Sequence, residues 1–408
     1  MKILQLCKKF PFPLKDGESI AVTYLSKAFA DLGCEVTLLS MNTSKHYVDI
    51  ENLPKDFNHY KEVITSSLDN RVKWHKAFIN LFSSDSYHVS RFVSQEFEDK
   101  LIELLQREQF DVIQLETMYL TPYLGIIRNY SEALISLRAH NIEFEIWERI
   151  TKNTSFLPKK IYLKLLTEKL KKYELNHLNE YDYLVAISER DLFKFKSLGY
   201  KNGAISTPIG INIEEYNTIV PTKAVSKKSI CFIGALDWVP NREGLEWFLK
   251  EVWSKVRQTH RDAELHVAGR NTPHDILQLN IPGLIVHGEI EDSRQFMLSH
   301  LALVVPLFSG SGMRVKIIEG MALSKCIIST SLGMEGINVA HNHEILVADS
   351  ADEFISSIND LFEHPFKSVL IGKSAQKYVS KTYDYKKVAK DLIYKYKAVM
   401  SKSYKKVF

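Results

Sequence analysis

Residues 304–337 read VVPLFSGSGMRVKIIEGMALSKCIISTSLGMEGI, which alternates an apolar strand, a glycine-rich turn, a helix and a second strand. The turn contains Gly310 and Gly312, and Arg314 and Lys316 follow it within one helical turn. Backbone N–H groups at a helix start favour a bound anion, and nearby cations strengthen that preference. The pattern therefore predicts an anion-binding turn at the end of a strand.

Composition limits the classes of function. The chain has 408 residues, of which 45% are hydrophobic and 25% charged, as in ordinary globular proteins, and its length predicts two domains or three. A formal charge of +4 is too small to indicate nucleic-acid binding. No signal peptide or membrane-spanning apolar run is recognisable, so we expect a cytoplasmic protein. The cysteines lack CxxC spacing, which predicts buried, reduced thiols at positions 7, 34, 231 and 326.

Short apolar runs rich in β-branched residues alternate with segments of helical period along the chain. This rhythm predicts an α/β fold with parallel sheets. The predicted strands of the first half are 2–7, 36–40, 111–116, 133–139, 183–188 and 205–211, and those of the second half are 229–237, 264–269, 284–290, 302–307, 326–331 and 344–349.

The alternation of strands and helices begins again in the second half of the chain, which predicts two doubly wound, Rossmann-like domains. We expect the N-terminal domain to span residues 1–216 and the C-terminal domain residues 229–383. The polar, proline-containing segment 217–228 would be the linker. A basic amphipathic helix at about 384–408 is predicted to pack back on the N-terminal domain. Two such domains facing a central cleft would bind ligands at the carboxyl ends of their strands.

Two helical segments, 156–178 and the C-terminal helix, are rich in lysine. One interpretation is that each packs an apolar face on the body of the protein and leaves its lysines in solvent. The other is a peripheral contact with the anionic inner face of a membrane, which basic amphipathic helices attract. The sequence leaves both open.

The chain resembles the GT-B glycosyltransferases, and within them the retaining glycosyltransferase family 4, the glycosyl transferases group 1. The resemblance covers nearly the whole chain, and its most specific block is the C-terminal one. It implies a nucleotide-sugar donor in the C-terminal domain and an acceptor on the N-terminal domain. Residues 42–95 carry no recognisable signature of an acceptor-binding site. The matching segments are PFPLKDGESIAVTYLSKAFADLGCEVTLLS (11–40), LRAHNIEFEIWERI (137–150), FIGALDWVPNREGLEWFL (232–249), LHVAGRN (265–271), VHGEIED (286–292) and VPLFSGSGMRVKIIEGMALSKCIISTSLGMEGI (305–337).

The predicted donor site surrounds the leaving diphosphate. Negative charge develops there during transfer, so N–H groups and cations that face it lower the barrier. Arg314 and Lys316 would supply the charge. The N–H groups would come from the turn residues Gly310, Ser311, Gly312 and Met313.

Glu319 matches the second glutamate of the family, which accepts hydrogen bonds from the ribose hydroxyls. The alternative is that Lys316 and Glu319 form a surface pair on one helix. For the base, the resemblance implies main-chain groups at Glu289 and Ile290. Arg270, after a strand, would reach a phosphate or lie in solvent as an ordinary loop arginine.

In the N-terminal domain the candidates are Gly17 and His140. Gly17 begins a helix where the backbone would approach the donor, although turns use glycine for structural reasons as well. His140 matches the histidine that the family places beside the transferred sugar; a histidine at a strand end is otherwise structural. Glu116, which ends another strand, is a weaker candidate for an acceptor contact.

The chain departs from the family at two positions. Ser311 stands where the first of the paired glutamates is expected, and Ala235 follows Gly234 where the family tends to carry an arginine. Arg242 is a candidate counterpart of a lysine expected nearby. These departures predict that Arg314 and Lys316 carry the phosphate charge.

The resemblance implies a retaining glycosyltransferase that moves a sugar from a UDP- or GDP-sugar to a glycan, polysaccharide or lipid-linked hydroxyl acceptor. No DxD triplet is present, so metal independence and no further cofactor are expected. Ser311 and Ala235 favour the alternative of a catalytically impaired sugar-nucleotide-binding partner subunit. A sugar-nucleotide epimerase would need acidic groups that are not recognisable here. A nicotinamide dehydrogenase would need GxGxxG, where residues 10–17 read FPFPLKDG.

Overall fold

The structure is a computed structural model, and it describes residues 1–55, 57–71, 86–222, 225, 228–310 and 312–404. The chain divides into two compact units. The N-terminal unit is Met1–Ile211 together with the segment that begins at Tyr385, and the C-terminal unit is Asn212–Asp384. Each unit is built on a parallel sheet, which confirms the predicted α/β class.

Within the described residues, the N-terminal unit contains a seven-stranded sheet in the order β3-β2-β1-β4-β5-β6-β7. Its strands are β1 (Lys2–Cys7), β2 (Glu35–Thr43), β3 (Glu62–Leu68), β4 (Val112–Leu115), β5 (Leu134–Ala139), β6 (Tyr183–Ala186) and β7 (Gly203–Ser206). Its helices are Gly17–Asp31, Tyr87–Ser90, Gln95–Arg107, Leu124–Tyr130, Glu143–Asn153, Leu157–Asn176, Glu189–Ser197 and Tyr385–Tyr404, with 3-10 turns at Ile50–Asn52 and Met118–Tyr123.

The C-terminal unit contains, in its described part, a six-stranded sheet in the order β10-β9-β8-β11-β12-β13. Its strands are β8 (Ser229–Ile233), β9 (Glu264–Ala268), β10 (Leu284–Gly288), β11 (Ala302–Val305), β12 (Cys326–Ser329) and β13 (Leu346–Val347). Its helical segments are Ile213–Asn217, Val239–Trp247, the π-helical Phe248–Trp253, Ser254–Thr259, His274–Leu277, Ser293–Leu298, Val315–Ala322, Ala351–Glu363 and Phe366–Thr382.

Strand β3 is absent from the sequence-based prediction. It pairs with β2 at the edge of the sheet, and its sequence EVITSSL alternates apolar and small polar residues. Most of its side chains are only partly buried. An edge strand buries less of its surface and needs fewer apolar residues. The sequence pattern that indicates it is therefore weaker than that of the buried strands β1 and β4.

The helix Tyr385–Tyr404 packs on the N-terminal unit, far along the chain from its neighbours. Its Tyr396 is fully buried; the hydroxyl donates to Gln114 Oε1 at 2.9 Å and lies 2.8 Å from Ser136 Oγ. Val388 and Leu392 lie on the same face and are buried. A buried hydroxyl with two partners fixes the register of this helix against the sheet.

Residues 212–216, predicted for the first domain, and Asn217, predicted for the linker, belong to the C-terminal unit. The short helix Ile213–Asn217 is held there by side chains distant in sequence: Tyr216 donates to Glu319, and Gln376 donates to Asn217 Oδ1 at 3.1 Å. Local sequence contains no trace of these contacts.

A buried carboxyl group caps the helix Glu143–Asn153. Glu174, from the helix Leu157–Asn176, accepts the backbone N–H groups of Glu143 at 3.2 Å and Phe144 at 3.0 Å. Burial and the nearby Glu143 carboxylate raise the pKa of Glu174 to about 8, although the two N–H groups act in the opposite direction. The carboxyl group is therefore neutral in the folded protein at neutral pH.

We expect the stability of this unit to fall as the pH rises from about 5 towards 8. The folded state holds a proton on Glu174 that the unfolded state, with an ordinary pKa of 4.5, has lost. The folded protein therefore binds more protons in this window, and the free energy of unfolding decreases by on the order of 4 kcal/mol. Glu174→Gln keeps the capping oxygen and should flatten the slope, measured by urea denaturation at several pH values. Glu168→Gln, at an exposed position on the same helix, is the control; equal slopes in all three proteins would contradict the assignment.

Candidate functional site

The strand order of the C-terminal sheet reverses between β8 and β11, which are neighbours. Ligands of doubly wound sheets bind outside the carboxyl ends of the strands at such a reversal. The loop after β11 carries the turn predicted to bind an anion, and the loop after β8 begins at Gly234. The two loops therefore meet at the switch point of the sheet.

Glycines allow the backbone segments to touch there. A Cβ atom on Gly244 would lie 2.0 Å from the carbonyl oxygen of Pro306, and one on Gly269 would lie 1.8 Å from that of Gly234. Gly310 and Gly312 have φ angles of 93° and 81°, which only glycine adopts freely. At this edge of the sheet the backbone segments consequently pack directly against one another, with no side chain between them.

Lys316 brings a positive charge to this edge. Its Nζ donates to the carbonyl oxygen of Ile233 at 2.9 Å and to Asn241 Oδ1 at 3.0 Å, and lies 5.1 Å from the centre of the Phe232 ring. Burial, reinforced by Arg314, lowers the pKa of Lys316 to about 7. These contacts include no carboxylate that would offset the free-energy cost of burying the charge. A bound anion would therefore favour the protonated form of Lys316.

Arg314 occupies the position just before the helix Val315–Ala322. Its Nη1 donates to the carbonyl oxygen of Gly312 at 2.6 Å, and a Cβ on Gly310 would lie 3.0 Å from its Nη2. The guanidinium is therefore folded against the glycine turn, beside the N-terminus of the helix. Two cations and the helix start converge on one loop, as the sequence predicts.

Glu319 lies one turn along the same helix and is part-buried. Its Oε1 accepts a hydrogen bond of 2.6 Å from the hydroxyl of Tyr216, whose ring lies 4.6 Å from the Arg294 guanidinium. Burial raises the pKa of Glu319, against the opposing effects of Tyr216 and Arg294. The predicted surface pair with Lys316 does not occur, since Lys316 bonds to Ile233 and Asn241 instead. The sequence offers no sign of Tyr216, which is 103 residues from Glu319.

The other predicted donor residues follow neighbouring strands. Arg270 comes after β9, and its carbonyl oxygen accepts the N–H of Leu236 at 3.0 Å. Glu289 and Ile290 come after β10, beyond Gly288 with its φ of 68°. Because β8, β9 and β10 are adjacent and parallel, all three residues lie at the same edge as Lys316.

Three further candidate residues of the donor site are Met313, Ser311 and Arg242. Met313 is buried, and Ser311 lies outside the described residues. Arg242 directs its guanidinium to Glu246 at 2.8 Å and Asp275 at 2.7 Å, on the exposed side of its helix. Asn241, which sequence reasoning missed, is the residue that reaches Lys316.

The N-terminal unit has its own polar cluster at the carboxyl ends of β1 and β5. Gly17 is the first residue of the helix Gly17–Asp31, and Asp16 caps that helix by accepting the N–H of Ser19 at 3.0 Å. Burial would raise the pKa of Glu18, but Lys8, Lys9 and His140 outweigh it and lower the pKa. Sequence reasoning missed the two lysines, which lie 3.5 Å and 3.6 Å from the Glu18 carboxylate.

Glu116 is fully buried, which contradicts the weaker suggestion that it contacts an acceptor. It binds Arg138 Nη1 at 3.2 Å, Gln5 Nε2 at 2.6 Å and His140 Nε2 at 3.0 Å. Burial alone would raise its pKa, but Arg138 and His140 lower it to about 2. Since an ionised carboxylate only accepts hydrogen bonds, the ring of His140 carries a proton on Nε2.

The glycine-rich edge of the C-terminal sheet lies inside a matched family model. Residues 227–364 match the model described as glycosyl transferases group 1. This part of the chain is similar to that family. The predicted resemblance is thereby confirmed at the level of group 1, and membership of family 4 stays a prediction.

Solved structures share the fold of the whole chain. Sucrose-phosphate synthase from Thermosynechococcus elongatus has a TM-score of 0.72 at 15% identity, over 98% of this chain and 100% of that one. Anabaena HepE in complex with UDP-glucose has a TM-score of 0.64 at 13% identity, with the same coverage. The chain therefore has the GT-B fold, as predicted.

A relative of similar length comes from Klebsiella pneumoniae. It is 21% identical over 402 residues, which cover 95% of this chain and 97% of the relative, and it is described as an uncharacterized 44.6 kDa protein in the cps region. None of the helices that the structure describes is long and apolar enough to cross a membrane. Among the described residues, no group of three or more His, Cys, Asp or Glu side chains is arranged to hold a metal ion.

Proposed function

We propose that this chain is a group 1 glycosyltransferase, which transfers a sugar from a nucleoside-diphosphate sugar to a hydroxyl acceptor with retention of anomeric configuration. The observation that carries the proposal is the position of Lys316, whose ammonium donates to the carbonyl oxygen of Ile233 at the end of β8, at the β8/β11 switch point. A cation and N–H groups at a helix start suit a diphosphate, which gains charge as it leaves.

Each group in the C-terminal unit has a part in this proposal. Lys316 and Arg314 neutralise the departing diphosphate, and the N–H groups of the turn bind its oxygens. Glu319 accepts hydrogen bonds from the ribose hydroxyls through the oxygen that Tyr216 leaves available, because one carboxylate has several acceptor positions. The charge is supplied by side chains, so we propose that transfer proceeds without a metal ion or other cofactor.

The N-terminal unit would contribute to the acceptor side. His140 would hydrogen-bond the sugar or orient the acceptor, with its ring fixed by Glu116. The UDP-glucose bound in HepE supports a UDP-sugar as donor, and the cps region of the Klebsiella relative supports a glycan, polysaccharide or lipid-linked acceptor. A cytoplasmic protein with a peripheral contact at the inner membrane face would meet such an acceptor.

Calorimetric titration with UDP, GDP, ADP and CMP, with and without magnesium, tests the donor site first. We expect one diphosphate nucleotide to bind without metal. Glu319→Ala should weaken that binding roughly 10- to 150-fold, since a hydrogen bond to a charged group contributes about 1.5–3 kcal/mol. The control is Glu363→Ala, which removes an exposed glutamate of the same unit. Absence of binding by all four nucleotides would rule out the donor-site proposal.

Turnover of the matching nucleotide sugar separates a transferase from a partner subunit that only binds it. The product anomer, read by NMR, tests retention. Ala235, which lacks the cation expected at that position, favours the binding subunit as the second candidate. Tight nucleotide binding without hydrolysis or transfer, over a panel of hydroxyl acceptors, would favour that second function.

A further inference from the structure

The helix Leu157–Asn176 leaves a row of large apolar side chains in solvent. Leu157, Ile161 and Leu165 recur every four residues and are 65%, 55% and 46% exposed, and Phe156 at the N-cap is 66% exposed. Residues four apart share one face of a helix, so Leu157, Ile161 and Leu165 form a continuous surface. Together with the neighbouring Phe156, this surface is here termed the apolar stripe. The opposite face of the helix packs into the N-terminal unit through Leu163, Leu166 and Leu170.

Only basic side chains accompany the apolar stripe along the chain. Residues 152–165 contain four lysines and no aspartate or glutamate. Lys159 and Lys164 are exposed, and the nearest carboxylate to Lys164 is that of Glu168, at 4.0 Å. At this distance and exposure the pair contributes little, so the surface keeps its positive charge.

A second exposed apolar group shows the contrast. Phe366, Val369 and Leu370, in the C-terminal unit, are 61%, 52% and 60% exposed. The lysine of that segment, Lys367, binds both oxygens of Asp360 at 2.6 and 2.8 Å. This second group matches the apolar stripe in exposure while lacking its uncompensated positive charge.

We propose that the apolar stripe docks this chain on the surface of an anionic lipid bilayer. Apolar side chains on a helix that lies in the plane of a bilayer enter the boundary between headgroups and acyl chains. Lys159 and Lys164 would then lie at the level of the lipid phosphates, where each lysine is attracted by about 1 kcal/mol. The positive charge of Lys164, beside the row, and of Lys159, in the first turn of the helix, selects a lipid surface over a second copy of the chain, which would bring like charges together. The proposal goes beyond sugar transfer and does not depend on it.

Co-sedimentation of the full chain with vesicles tests the proposal. Wild type should bind phosphatidylcholine vesicles that contain phosphatidylglycerol, and bind pure phosphatidylcholine weakly. The double variant Ile161→Ser/Leu165→Ser should partition at least roughly tenfold less, since two large side chains lose their burial. Lys159→Glu/Lys164→Glu should lose the preference for anionic vesicles, by roughly fivefold or more for each lysine. Val369→Ser/Leu370→Ser should partition as wild type does.

A fluorescent label provides a readout that does not rely on loss of binding. The four native cysteines are buried, so Ile161→Cys can carry an environment-sensitive dye, with Val369→Cys as the control. A blue shift on anionic vesicles for position 161 alone would support docking by the apolar stripe. The proposal fails if wild type ignores anionic vesicles, or if both labels shift equally. It also fails if Ile161→Ser/Leu165→Ser alters self-association by light scattering while vesicle binding stays unchanged. None of these readouts involves a nucleotide, so they are independent of the donor-site test.

Discussion

Lys316→Met should weaken nucleoside-diphosphate binding roughly 10- to 150-fold, the range for one hydrogen bond to a charged group. The ammonium lies at the switch point, between the Ile233 carbonyl and Asn241, where a diphosphate would complete its contacts. If the chain is a transferase, turnover should fall further, by roughly 10²–10³-fold, because charge on the leaving group peaks in the transition state. Calorimetry and a nucleotide-release assay measure the two effects.

The pH dependence of binding separates Lys316 from other cations. Its pKa is lowered to about 7 by burial and by Arg314, so the ammonium loses its proton as the pH rises above that value. A bound diphosphate must then draw a proton from solvent, and affinity should decrease above about pH 7 in wild type by up to tenfold per unit. In Lys316→Met this part of the pH dependence should be absent.

Lys325→Met is the matched control, because Lys325 is another buried lysine of the same unit with a lowered pKa. Its Nζ approaches the Leu298 carbonyl oxygen, away from the glycine turn. Nucleotide affinity should be unchanged in this variant. If Lys325→Met and Lys316→Met weaken binding equally, the loss reflects damage to the unit, and the phosphate role of Lys316 is wrong.

Glu116→Ala should destabilise the N-terminal unit by about 3–5 kcal/mol, the usual result of leaving one buried charge without its partner. Arg138 and Glu116 are both fully buried, and their ion pair has a 3.2 Å contact. The substitution leaves the guanidinium without its carboxylate and also removes the acceptor from Gln5 and His140. Urea denaturation monitored by circular dichroism measures the change in the free energy of unfolding.

Glu148→Ala provides the comparison, since Glu148 pairs with Lys171 at 2.8 Å where both side chains are largely exposed. Little change is expected there, because solvent screens surface pairs. Glu116→Met combined with Arg138→Met should recover part of the loss, as apolar replacement of a complete buried pair often does. A mild effect of Glu116→Ala, similar to that of Glu148→Ala, would show that water reaches Arg138 in the folded protein.

The strands that the sequence predicts best are the buried ones. Lys2–Cys7 and Cys326–Ser329 are mainly apolar and buried along almost their whole length, so their composition alone indicates them. The edge strand Glu62–Leu68 shows the limit, because small polar residues interrupt its pattern. Residues near the unit boundary were assigned to the wrong unit, because the contacts that hold Tyr216 come from a distant helix.

The sequence alone determined the glycine turn and its two cations. Gly310, Gly312, Arg314 and Lys316 lie within seven residues, so local geometry brings them together whatever the rest of the chain does. Only the tertiary structure decided which side chains complete the site. Asn241 reaches Lys316 from 75 residues away, Tyr216 reaches Glu319 from 103, and Glu116 reaches His140 from a neighbouring strand. Such pairs depend on the order of the strands in the sheet and on the packing of buried side chains. Neither can be predicted from the spacing of residues along the chain.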